Sequence, residues 1–224
     1  MNKRRKYRLK PAGWILFVVL PVLLIVIFLI YRINPMLGKT YSNEYFGIET
    51  YKSSVDKDSD GVDDQTDILN NVRAYIATKP IYQSKYYAGG YPDDGYGVCT
   101  DVVAQGLLGS GYDLRELVYQ DRLDHPDDYE NEAIDKDIDF RRVRNLLIYF
   151  RRTAIELTTD LNEKDEWQGG DIVIFPGHIG VVSDRRNRKG IPLLIHHGSN
   201  EQLSYEQDIL ETRANEIIAH FRIS

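Results

Sequence analysis

From Trp14 to Ile30 the chain carries no charged residue, and the apolar run extends through Tyr31 to Arg32. That length approaches the roughly 20 residues that span a bilayer. Six basic residues precede the run: Lys3, Arg4, Arg5, Lys6, Arg8 and Lys10. The pattern predicts a single-pass transmembrane anchor over 12–33, a cytoplasmic basic tail over 1–11, and an extracytoplasmic remainder. Pro21 inside the run is tolerated in lipid when neighbouring groups re-satisfy the freed carbonyl. A cleavable signal peptide competes with this reading, but the run is long for a signal core. No small-x-small cleavage pattern follows in YRINPMLGKT.

The anchor also splits the charge. Residues 1–33 hold seven Lys/Arg and no acid, which leaves 21 basic against 34 acidic residues in the rest of the chain, a net of −13. Such a surface argues against nucleic acid as a partner. Residues 34–55 are polar without a sustained period and read as a tether. They lead into DKDSDGVDDQTD, where Asp56, Asp58 and Asp60 stand at positions one, three and five of a twelve-residue loop. Gly61 supplies the turn at six, the Val62 carbonyl stands at seven, Asp64 at nine and Asp67 at twelve. This predicts a structural Ca²⁺ site over 56–67, with a solvated acidic linker as the alternative. Asp67 is a shorter arm than the Glu of an EF-hand, and no entering helix precedes the loop.

Residues 68–224 form the main domain. Its only cysteine, Cys99, follows a glycine-rich run (Gly89, Gly90, Pro92, Gly95, Gly97) and precedes Val102, Val103, Leu107 and Leu108 at helical spacing. A thiol at a helix N-terminus experiences the dipole and unpaired N–H groups, which favour thiolate. The competing reading of a lone cysteine is a small buried hydrophobe. Further helices are predicted over about 67–78, 112–123 and 139–152, the last capped by Asp139. Beyond Glu166 the period changes to β-branched runs, predicting antiparallel strands at 171–175, 178–183 and 191–197 and a last strand over 216–223. Helices followed by a meandering sheet define an α+β domain.

The segment Tyr86-x-x-Gly89-Gly90, then Cys99-Thr100 opening an apolar helix, resembles the nucleophile region of the NlpC/p60 cell-wall cysteine peptidases. So does Gly170-Asp171-Ile-Val-Ile-Phe175 leading to His178-Ile-Gly180. Val98 and Thr100-Asp101 depart from the family's Asp-Cys-Ser-Gly. The chain looks most like a divergent bacterial branch carrying Cys-Thr-Asp-Val-Val and a closing His-aromatic-Arg, still filed as a domain of unknown function. The resemblance covers about 80–200. It implies a papain-like fold, with the nucleophile helix packed on an antiparallel sheet.

A cysteine hydrolase needs a base near the thiol and a third group that orients the base. Cys99 is the expected nucleophile and His178 the expected base. His196 and His197 compete for the orienting role, because alternation sends them to opposite faces. Leu194-Ile195-His196 matches the family's strand end, which favours His196 and leaves His197 to line the cleft. The resemblance implies the Tyr86 hydroxyl as an oxyanion donor beside the Cys99 N–H, with Tyr87 as rival. Asp101 is expected either to cap its helix or to bind a substrate amine. His125 reads as a surface residue and His220 as structural. The expected activity is cleavage of an amide bond in peptidoglycan stem peptide through an acyl-enzyme, needing no cofactor for catalysis. A non-catalytic wall-binding module and a thiol acyltransferase remain as alternatives.

Overall fold

The structure is a computed structural model that describes residues 15–33, 38–130 and 133–223. The expected tail over 1–11 and the first residues of the expected anchor lie outside them. The chain forms two compact units, Met1–Met36 and Leu37–Ser224.

In the first unit a π-helical turn, Ile15–Val19, runs into the α-helix α1, Leu20–Ile33. Pro21 offers no N–H to the carbonyl four residues back, and the wider π spacing reaches past it to the next donor. Apolar side chains from Phe17 to Ile30 are exposed along this stretch. Among the described residues no helix is long and apolar enough to cross a membrane. The expected uninterrupted span is thus a π turn followed by a helix of 14 residues.

The second unit is α+β, as its sequence predicts. Among the described residues four α-helices come first or interleave: α2 (Asp64–Ala77), α3 (Cys99–Gly109), α4 (Leu114–Asp124) and α5 (Val143–Thr153). Two short parallel strands, β1 (Ile81–Tyr82) and β2 (Tyr96–Gly97), lead into α3. The main sheet holds β3 (Ile155–Leu157), β4 (Ile172–Phe175), β5 (His178–Arg186), β6 (Pro192–Ile195), β7 (Glu206–Gln207) and β8 (Ala219–Arg222). Its order is β3-β8-β4-β5-β6-β7, antiparallel throughout.

Both faces of this sheet are covered. Ile172, Ile174, Ile179 and Val181 join the helices in one core, while Val173, Phe175, Val182 and Leu194 pack with Trp167 and Leu210 in a second. Burial on both faces explains why β4 and β6 read as continuous apolar runs rather than alternating ones. Helix α3 is wedged between the sheet and α2. Gly106 makes that approach possible, since a Cβ there would lie 2.3 Å from Val72 Cγ2.

Two expectations change. Asp139 does not cap α5: it sits in a 3₁₀ turn, Asp139–Arg141, and α5 starts only at Val143. Its carboxylate is drawn back to the Asp135 N–H at 2.8 Å and to Arg122 at 2.5 Å. Residues 38–55, expected as a tether, lie on the domain. Tyr41 exchanges backbone hydrogen bonds with Arg186, and Asn43 Oδ1 accepts from the fully buried Arg186 guanidinium. A buried cation needs such acceptors, and the domain draws one of them from the segment ahead of it.

Candidate active site

The local chain route brings Cys99 to the base of a cleft. Strand β1 pairs with β2 so that Tyr82 lies beside Gly97, two residues before the cysteine. Gly97 leaves room for the Tyr75 hydroxyl, since a Cβ would stand 2.3 Å from its oxygen. Cys99 is then the first residue of α3. It opens onto a cleft of about 630 Å³ whose walls include Tyr82, Thr100, Val143, Leu147, Phe175 and Ile218.

Cys99 is 8% exposed. Burial raises the thiol above its ordinary value; the N–H groups of Ile179, Thr100 and Cys99 oppose that shift and the Asp101 carboxylate adds to it. The expectation of a stabilised thiolate is therefore corrected. The helix start does supply amide donors, but desolvation outweighs them.

The β4–β5 hairpin turns through Pro176 and Gly177, the latter at φ +66, and sets His178 at the first position of β5. Its neighbour Ile179 supplies the amide that meets the Cys99 sulfur. From His178 a hydrogen-bonded series runs across the sheet. His178 Nε2 lies 3.0 Å from His196 Nδ1, with the rings edge to face. His196 Nε2 lies 3.0 Å from Gln207 Oε1 on β7. Burial, then Arg213, lowers the His178 pKa to about 4. Burial, then His178, lowers that of His196 to about 3.

Both rings are consequently neutral at pH 7, and Gln207 fixes their tautomers. Its carbonyl oxygen only accepts, so His196 carries its proton on Nε2 and presents a lone pair at Nδ1. His178 must then donate from Nε2, which leaves its Nδ1 as the unprotonated nitrogen. A neutral imidazole with one nitrogen held and the other basic is the requirement for a general base.

His196 thus takes the place expected of the orienting residue. His197 instead points to the opposite side, 3% exposed, packed edge-on between Tyr82 and Tyr205 at 5.2 and 5.0 Å. Its Nδ1 is buried without a hydrogen-bond partner, and it does not line the cleft.

Two other expected site residues lie elsewhere. Tyr86 is 59% exposed and its hydroxyl reaches Asp135 at 3.4 Å. Tyr87 donates to Asp94 at 2.8 Å. The tyrosine beside the thiol is Tyr82, whose hydroxyl pKa is raised by burial and by Cys99. Asp101 is fully buried and takes the capping role of its two expected ones. It accepts the Val98 N–H at 2.8 Å and pairs with Arg141 at 2.7 and 2.9 Å. Arg141 also donates to the Lys85 carbonyl at 2.6 Å, tying the glycine-rich loop to the start of α3.

The closing His-Phe-Arg has a structural role. Asp171, fully buried, accepts from His220 Nε2 at 3.0 Å and from Arg222 at 2.8 Å, while His220 stacks on Trp167 at 3.9 Å. The Gly-Asp that opens β4 and the motif that ends the chain are one hydrogen-bonded unit. His125 is exposed at the end of α4, as expected.

Sequence reasoning missed Tyr82 and Gln207. Each lies in a two-residue strand, too short for a period to register. No spacing links Gln207 to His196; only the β6–β7 pairing brings them together.

The thiol at the start of α3 and the histidine series on the antiparallel sheet are joined through the Ile179 amide, next to His178. The family follows from comparison. Residues 69–223 match the family described as "Domain of unknown function (DUF1287)", and the chain belongs to it. It is 37% identical over 157 residues to the "Uncharacterized protein YijF" of Escherichia coli (strain K12), spanning 64% of this chain and 75% of the relative. No solved structure matches the chain.

Proposed function

We propose that the chain is a cysteine hydrolase of the NlpC/p60 type, with a papain-like arrangement of helix and sheet, that cleaves an amide bond in peptidoglycan peptide. The observation that carries this reading is the series His178–His196–Gln207, which leaves a basic nitrogen on the residue next to the amide that meets Cys99. In the resting state thiol and imidazole are both neutral. His178 Nδ1 takes the thiol proton as sulfur attacks the carbonyl, and the new imidazolium is held by His196. The same proton then passes to the leaving amine; water, deprotonated by His178, attacks the thioester, the carbon–sulfur bond breaks to free the carboxylic acid, and His178 returns the proton to the Cys99 sulfur. The Cys99 N–H stands at the helix start to receive the oxyanion, with the Tyr82 hydroxyl as a second donor.

The apolar stretch at the N-terminus supports placing the domain outside the cell, anchored in the bilayer through 12–33. A helix apolar on every face belongs in a nonaqueous setting, and the six Lys/Arg that precede the apolar run fit a cytoplasmic N-terminus with the rest of the chain outside.

A second reading has its own support. Val143, Leu147, Ile174, Phe175 and Ile218 give the cleft apolar walls, which suits an acyl chain and hence a thiol acyltransferase on the same catalytic set. The test incubates the full-length chain, wild type beside Cys99→Ala, with purified peptidoglycan and reads released fragments by mass spectrometry. Stem-peptide fragments from wild type alone support the hydrolase, and their masses name the bond. Release from neither protein, with folding verified, removes the hydrolase reading. A stable acyl adduct on Cys99 that an added amine discharges would install the transferase.

A further inference from the structure

Among the described residues the acidic loop brings together Asp56, Asp58 and Asp60 alone of its expected ligands. Asp64 accepts the Lys57 N–H at 2.8 Å and the Tyr112 hydroxyl, and Asp67 accepts from Ser110 and Asn71, so neither joins them. A different recess has walls drawn from distant parts of the chain. It measures about 440 Å³ and lies between residues 40–50, Arg73 of α2, and Asp184 and Arg185 near the end of β5. None of its lining residues lines the Cys99 cleft.

The walls are held by the fold itself. Tyr41 exchanges backbone hydrogen bonds with Arg186, and buried Asn43 donates to Gln168 at 2.9 Å and to the Thr50 hydroxyl at 3.2 Å. Arg73 donates to Asp184 at 3.2 Å, and Arg185 to Glu206 at 2.9 Å. Glu44 and Asp184 balance Arg73 and Arg185, so the lining carries no net charge. An anionic or cationic ligand finds no surplus to meet. What the lining offers is hydroxyls from Thr40, Ser42 and Thr50, beside guanidinium donors and a carboxylate acceptor already fixed by ion pairs.

An aromatic platform flanks the recess. Tyr45 is 66% exposed, its ring 4.5 Å from that of Tyr41, a lining residue, and 5.0 Å from that of Phe46. The 3₁₀ turn Glu44–Phe46 that carries it is closed by Gly47 at φ +70, whose N–H donates to the Glu44 carbonyl. A sugar ring matches both halves, with an apolar C–H face for an aromatic side chain and hydroxyls around its edge for paired donors and acceptors. We infer that this recess binds a neutral oligosaccharide, one ring stacked on Tyr45 and the next hydrogen-bonded among Arg73, Asp184 and Arg185. Walls fixed in advance spare the ordering cost of binding. The inference goes beyond the cleft chemistry and does not rest on it. Peptidoglycan joins both chemistries, glycan for the recess and peptide for the cleft.

The test is isothermal titration calorimetry of the full-length chain, in a detergent without a sugar headgroup, with chitotetraose, cellotetraose and maltotetraose. Saturable binding of at least one of them is expected, weakened about tenfold or more in Tyr45→Ala and in Arg185→Gln and kept in Tyr45→Trp. Both side chains are exposed, so neither change strips the core, and circular dichroism verifies the fold. Arg185→Gln keeps the inference testable even where Tyr45→Ala fails to fold. Saturable binding of none of the three sugars up to about 10 mM overturns the inference. So does binding unchanged in either folded variant. The titration reads binding directly, and its outcome is independent of whether Cys99 is catalytic.

Discussion

Gln207 matters out of proportion to its chemistry, because an amide oxygen at the far end of a two-ring series decides which nitrogen of His178 can accept a proton. A single change tests that. In Gln207→Leu the tautomers are no longer specified, and kcat should fall by about a hundredfold with KM little altered. Gln207→Glu keeps an acceptor but adds charge that favours imidazolium, so activity should survive and its acid limb should move to higher pH. A purely structural Gln207 would change stability and leave the pH profile alone. Nitrogen NMR of the imidazoles provides a check that needs no substrate: His178 Nδ1 should read as unprotonated at pH 7.

The start of α3 is held as an element rather than by any one contact. Asp101 closes the first turn on the Val98 N–H and, through Arg141, binds it to the carbonyl of Lys85. Both partners are nearly inaccessible to water, Arg141 at 2% and Asp101 at 0% side-chain exposure. Removing one member of a buried pair strands the other charge, at a cost of about 3–5 kcal/mol. Asp101→Ala should therefore unfold at much lower urea than wild type. If its stability were unchanged and only KM rose, the substrate-binding role set aside above would be restored.

At the scale of the whole molecule the neutral histidines link stability to pH. His178 and His196 titrate near 6.5 when unfolded but at about 4 and about 3 when folded. The unfolded chain binds their protons first, so their contribution is complete above about pH 6.5 and drains away as pH falls through 4. For His178 alone the loss between pH 7 and pH 4 is roughly 3 kcal/mol, large against a typical 5–15 kcal/mol. Unfolding midpoints measured across that range should drop steeply, and less steeply in His178→Asn. A wild-type midpoint flat from pH 7 to pH 4 would contradict the buried neutral pair.

What the sequence determined by itself was whatever a local pattern can encode. Apolar spacing announced the helices and the β-branched runs announced the central strands. Glycines that need positive φ or close approach marked the route into Cys99, and the lone cysteine with two later histidines named most of the candidate site. The tertiary structure decided what depends on burial and on pairing across the sheet. It set His196 rather than His197 against His178, placed Tyr82 rather than Tyr86 beside the thiol, joined Gln207 to the histidines, and buried Asp101 as the cap of its own helix. It also reversed the expected charge state of Cys99. The physical reason is common to all of these. Desolvation and long-range hydrogen bonding depend on which surfaces meet, and residues such as His196 and Gln207, 11 positions apart, meet only once the strands have paired.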